Sequence, residues 1–166
     1  MLPMPSTCVT GNLFPDGADF DPSASFFTSL DQATYNTDCG DGYTTCATMT
    51  HTDANDGSVG YMSFSYQLPA VPNALYSFSV AIRVNNAPTV ATISLGGGAS
   101  GQATKLVDLS TFTVGTYQVV TLSDIPEDSY GADNVYLSIG MSTDKDVDVT
   151  FAGFVVTQQC TGPTVD

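Results

Sequence analysis

The stretch Tyr76-Ser77-Phe78-Ser79-Val80-Ala81-Ile82-Arg83-Val84 alternates large apolar residues with small or polar ones over nine positions. A period of two is the side-chain period of an extended strand, and a helix would scatter both sets around its axis. The alternation puts Tyr76, Phe78, Val80, Ile82 and Val84 on one face. Ser77, Ser79, Ala81 and Arg83 take the other. β-branched and aromatic residues suit such a half-buried pleated surface.

The same period recurs on both sides. Residues 59–68 place Met62, Phe64, Tyr66 and Leu68 on one face and Tyr61, Ser63, Ser65 and Gln67 on the other. A Pro-Asn turn region (69–73) separates that segment from the central one. Strands are also predicted over 90–95, 105–109 and 117–122, with a long acidic loop over 124–134. In the next strand Val135, Leu137, Ile139 and Met141 alternate with Tyr136, Ser138 and Gly140. The last, 147–157, buries Val149, Phe151 and Val155, or the opposite set if a bulge sits at Gly153. Residues 16–55 read as one short strand pair plus a disulfide-pinned excursion. Eight to ten strands with frequent turns predict an all-β antiparallel sandwich of the jelly-roll kind. One domain over 12–160 is expected, with an N-terminal arm at 1–11 and a C-terminal tail at 161–166.

The 166 residues carry 17 acids against Lys105, Lys145 and Arg83, a formal net charge of -14. Such a surface repels nucleic acid and anionic lipid, which excludes both as partners. Only 12% of residues are charged, about half the usual share. Four cysteines without a Cys-x-x-Cys motif, and His51 as the single histidine, argue against zinc and redox chemistry. Pairing Cys39 with Cys46 and Cys8 with Cys160 is favoured, which implies an oxidising, secreted location. No apolar run reaches transmembrane length. Met1 to Pro5 is too short for a signal peptide, so the sequence reads as a mature or excised segment.

The order of these features resembles the jelly-roll carbohydrate-binding modules of the galactose-binding-like type. Asn12-Leu13-Phe14-Pro15-Asp16-Gly17 followed by Asp19-Phe20-Asp21 is similar to their opening motif. Leu68 to Pro72, then Tyr76 to Arg83, resemble their edge strand, proline turn and aromatic-led strand ending in arginine. Gly115 to Leu122 and Phe151 to Thr157 match the later elements. The resemblance implies a glycan or polysaccharide partner. Where the family's last strand commonly carries a calcium-ligating aspartate, this chain has Phe151-Ala152-Gly153-Phe154, and it has no tryptophan.

For catalysis, Asp108, Asp146 and Asp148 are the strand carboxylates, and all read as solvent-facing. His51 lies between threonines without a nucleophile signature, so no enzymatic activity is expected. Asp53-Ala54-Asn55-Asp56-Gly57 offers closely spaced oxygens suited to Ca2+. The same residues form turns without metal. Asp16, Asp19 and Asp21 stand equally open, with the family resemblance on the side of calcium. The expected ligand-binding residues are Tyr61, Gln67, Arg83 and Tyr136, on outward polar faces lined with serines. Aromatic rings take sugar C–H faces, and planar polar groups bond hydroxyls. A second reading is a structural subunit of an extracellular filament, coat or capsid-type assembly, self-assembling through its terminal segments.

Overall fold

The computed structural model describes residues 27–31, 33–51, 60–67, 75–86, 92–97, 103–126, 134–141 and 147–159. Ten strands run in chain order: β1 (Phe27–Asp31), β2 (Ala33–Asn36), β3 (Cys46–His51), β4 (Gly60–Gln67), β5 (Leu75–Val84), β6 (Thr92–Gly97), β7 (Ala103–Asp108), β8 (Tyr117–Pro126), β9 (Asn134–Met141) and β10 (Val147–Gln159). They form two five-stranded sheets, ordered β1-β4-β9-β6-β7 and β2-β3-β10-β5-β8. Every pairing is antiparallel. Most connections pass from one sheet to the other, as in a jelly roll.

The predicted inner face of β5 is the inner face. Tyr76, Phe78, Val80, Ile82 and Val84 are buried, while Ser77, Ser79 and Arg83 are half-buried on the opposite side. Each inward side chain contributes roughly 1.5–3 kcal/mol relative to exposure. They share one core with Val149, Phe151, Phe154 and Val156 of β10 and Leu122 and Ile125 of β8. Ile93, Leu95, Val107 and Ile139 join from the other sheet, so the two sheets pack face to face.

Two bulges adjust the alternation. In β10, Val149 and Phe151 point inward, and after the bulge Phe154 and Val156 do. The register against β5 shifts between Ala152 and Val155, where Gly153 takes φ 59°. The bulge allowed for in the sequence is therefore present, and Val155 faces outward. In β8, Asp124 at φ 59° inserts a residue opposite β5, where Phe78 pairs with Leu122 but Tyr76 with Ile125. Aspartate tolerates this left-handed geometry better than most residues, and the Asp124 N–H donates to Gln159 Oε1 at 3.2 Å.

Three expectations need correction. β8 continues through Asp124 to Pro126 because the bulge lets it bypass the acidic residue, so the loop does not begin at 124. Leu109 leaves β7 and enters a 3-10 turn, Leu109–Thr111, capped by Asp108. The 16–55 region supplies three strands and not one pair, because β1 joins one sheet through β4 while β2 and β3 join the other.

Candidate functional site

The outer face of the second sheet can be read row by row from the register. Thr48, Thr150, Arg83 and Tyr117 lie side by side, followed by Cys46, Ala152, Ala81 and Val119. Val155, Ser79 and Thr121 form the next row. Hydroxyls pair across the strands: Thr48 with Thr150 at 3.0 Å, Ser79 with Thr121 at 2.8 Å, and Ser77 with Ser123 at 3.4 Å. The Ser79–Thr121 and Ser77–Ser123 pairs lie at the surface, whereas the Thr48–Thr150 pair is part-buried. Val119 stands 69% exposed on the edge strand β8. Thr150, Cys46, Ala152 and Ala81 are buried, so the accessible part of this face is Val119 with the Ser79–Thr121 and Ser77–Ser123 hydroxyls.

One end of that face is walled by the segment between β2 and β3. Cys39 and Cys46 are disulfide-bonded, as the sequence suggested, and both are buried. Between them Gly40 to Tyr43 form a tight turn closed by Tyr43 N–H donating to the Gly40 carbonyl at 3.0 Å. Asp41 and Gly42 occupy its two central positions at φ 52° and 82°. This is a type I′ geometry, for which Asp-Gly is a favoured pair. The loop lays Tyr43 across the β10 bulge, where a Cβ on Gly153 would lie 2.7 Å from Tyr43 Cε1. Tyr43, Tyr117, the disulfide and Ala152 form a second small cluster outside the main core.

Arg83 is the centre of this wall. Its Nη1 donates to the Cys39 carbonyl at 2.8 Å and its Nε to Asn85 Oδ1 at 2.8 Å. Its guanidinium lies over the Tyr117 ring, 4.9 Å from the centroid, in a cation–π contact. Tyr117 Oη donates to the same Cys39 carbonyl at 2.7 Å, and Tyr43 meets Tyr117 edge to face at 4.9 Å. Asn85 passes the contact on, donating to Asp148 Oδ1 at 2.8 Å and to Thr150 Oγ1 at 2.9 Å. Arginine only donates and a carboxylate only accepts, so the Asn85 amide orientation is fixed by its neighbours. Burial pushes the Tyr117 phenol above its usual range; the Arg83 charge opposes that shift, and Asp41 and Tyr43 add to it. Tyr117 therefore remains a neutral hydrogen-bond donor at physiological pH.

Replacing Cys39 and Cys46 together by alanine is expected to lower stability by about 2.5 kcal/mol, the loop-closure value for so short a ring. Thermal melts of the variant against the oxidised parent check this.

The structure separates the expected ligand-binding residues. Tyr61 and Gln67 lie on β4 and Tyr136 on β9, opposite Gly140, Asn134 and Ser65 respectively. Those strands belong to the first sheet, whereas Arg83 belongs to the second. The four do not share one surface, because β4 and β5 are consecutive in sequence but sit in different layers. Tyr43 and Tyr117 are the partners that the sequence reading missed. The Asp41-Gly42 turn signal between two cysteines was the available clue to the first.

Asp16, Asp19, Asp21, Asp53, Asn55, Asp56, Cys8, Cys160 and Asp146 lie outside the described residues. Among the described residues no group of three or more His, Cys, Asp or Glu could hold a metal ion. No helix among them is long and apolar enough to cross a membrane. His51 ends β3, opposite Val147. Asp108 is exposed and caps the 3-10 turn, accepting from the Ser110 N–H at 2.9 Å and the Ser110 hydroxyl at 2.6 Å. Those bonds, the side-chain one first, hold its carboxyl below the usual range.

The two-sheet antiparallel sandwich is similar in fold to β-sandwich carbohydrate-binding modules of the galactose-binding-like type. The module TmCBM61, in complex with β-1,4-galactotriose, superposes with a TM-score of 0.55 at 12% identity, covering 89% of this chain and 99% of that one. An arabinose-bound GH51 α-L-arabinofuranosidase gives 0.58 at 13% identity over 90% of this chain, which spans only 25% of the enzyme. An apo-form cyclase from Fischerella sp. gives 0.55 at 11% identity, covering 93% and 98%. No protein family matches the sequence, and no curated protein is similar to it. At these identities the likeness is one of fold, and the fold serves both sugar-binding modules and a cyclase.

Proposed function

We propose that this chain is a non-catalytic, extracellular carbohydrate-binding module whose ligand lies on the outer face of β10, β5 and β8 against the Arg83–Tyr117–Tyr43 wall. The observation that carries this reading is the fixed guanidinium. Arg83 is held in place by a carbonyl, an amide and a ring, so a sugar need not pay to order it. Farther along β5 and β8 lie the Ser79–Thr121 hydroxyls and exposed Val119, which suit the mixed polar and C–H surface of a pyranose. The buried disulfide supports an oxidising location.

Affinity electrophoresis against a panel of soluble polysaccharides tests the proposal. Retardation by at least one is expected, with Arg83→Lys weakening it about tenfold or more, since lysine cannot reproduce the planar fork. Tyr61→Ala and Tyr136→Ala, in the other sheet, are expected to bind as the parent does. Loss of binding in those two variants alone would move the site to the first sheet. Uniform failure to bind would end the proposal.

The alternative of a structural subunit has one observation in its favour. β7 and β8 are the last strands of their sheets and carry exposed Leu106 and Val119. Light scattering that shows assemblies at all protein concentrations would favour it.

A further inference from the structure

Resting on the carbohydrate-binding reading, we infer that this site selects neutral glycans bearing adjacent free hydroxyls and discriminates against uronates. Arg83 is the only arginine in a chain of net charge -14. A lone guanidinium on a sheet face would ordinarily suit a carboxylate ligand. Here its surroundings are acidic. Asp148 lies one amide away, linked through Asn85 by bonds of 2.8 Å on either side. Asp41, at the tip of the disulfide loop, is close enough to Tyr117 to disfavour the phenolate, and Arg83 stacks on that ring. Two carboxylates thus flank one cation, and an arriving uronate would add a third negative charge at short range. The field of the whole chain opposes it further.

A sugar hydroxyl meets no such opposition, because it both donates and accepts. One hydroxyl can accept from the guanidinium while its neighbour donates to a flanking carboxylate. Asp148 Oδ1 is occupied by Asn85 at 2.8 Å, but Oδ2 has only the long 3.5 Å contact from Asn86 Nδ2 among the described residues. Both Asn85 Nδ2 hydrogens are engaged, so that amide cannot serve as the donor. Arg83 as donor and Asp148 as acceptor are therefore the pair that reads neighbouring hydroxyls, with Asp148 the residue that sets selectivity.

The test is titration calorimetry of the full chain with β-1,4-galactan, arabinan and xylan as neutral probes and polygalacturonate and alginate as uronates, at low and high salt. At least one neutral glycan is expected to bind about tenfold or more tighter than either uronate at low salt, with little dependence of neutral binding on salt. Asp148→Asn is expected to weaken neutral binding and narrow the gap to uronates. Uronates binding as well as neutral glycans, with affinity that falls as salt rises, would overturn the selectivity while leaving the carbohydrate-binding reading intact. Binding of no polysaccharide would overturn both.

Discussion

Truncation of Phe78 to alanine is expected to remove about 3–5 kcal/mol of stability, the range for deleting a fully buried ring. Phe78 has no exposed surface and sits on β5, which has strands on both sides, β10 and β8. Its ring stacks with that of Phe154 at a centroid distance of 6.2 Å and 13° between planes. Neighbours from both sheets fill the same core, so little can collapse into the void. With a total of about 5–15 kcal/mol for a typical domain, roughly a fifth or more of the stability would go. Urea unfolding followed by circular dichroism measures it. A loss under about 1 kcal/mol would contradict the assignment of that face to the interior.

Gly153→Val is the second large effect, expected at about 3 kcal/mol or more. The left-handed conformation at φ 59° costs a residue with a Cβ about 1–2 kcal/mol, more if β-branched. The new Cβ would also fall 2.7 Å from Tyr43 Cε1. Overpacking of this kind adds about 1–3 kcal/mol. Gly42 isolates the first contribution, since it too is left-handed at φ 82° but has open space around it. Gly42→Ala should therefore cost only about 1 kcal/mol. Equal melting temperatures for the two variants would mean that Tyr43 does not rest on the bulge. Displacement of Tyr43 should also weaken glycan binding in Gly153→Val, although Gly153 itself need touch no sugar.

Residue parity made most of the fold legible. The inward set on β5 was readable because five large apolar residues alternate with small ones, and no tertiary contact had to override that pattern. The bulge in β10 was readable because a glycine interrupts an otherwise regular alternation. Parity gives the face of a strand but not the sheet to which the strand belongs. For that reason Arg83 could be grouped with Tyr61, Gln67 and Tyr136, although β4 and β5 lie in different layers. Tyr43 was hidden for a different reason. Its place is set by a turn, a disulfide and a vacancy over Gly153, three constraints distant in sequence that meet only once the chain is folded. Asp124 reads as a loop residue in the sequence because charge and turn propensity agree there, and only pairing with β5 shows the strand continuing.

The disulfide ties residues 39 and 46 on the outside of one sheet, whereas the large core lies between the two. The disulfide loop therefore packs into a small cluster of its own, apart from the main core. Changes at the tip, Asp41-Gly42, are therefore expected to cost much less stability than truncation of Phe78 in the main core.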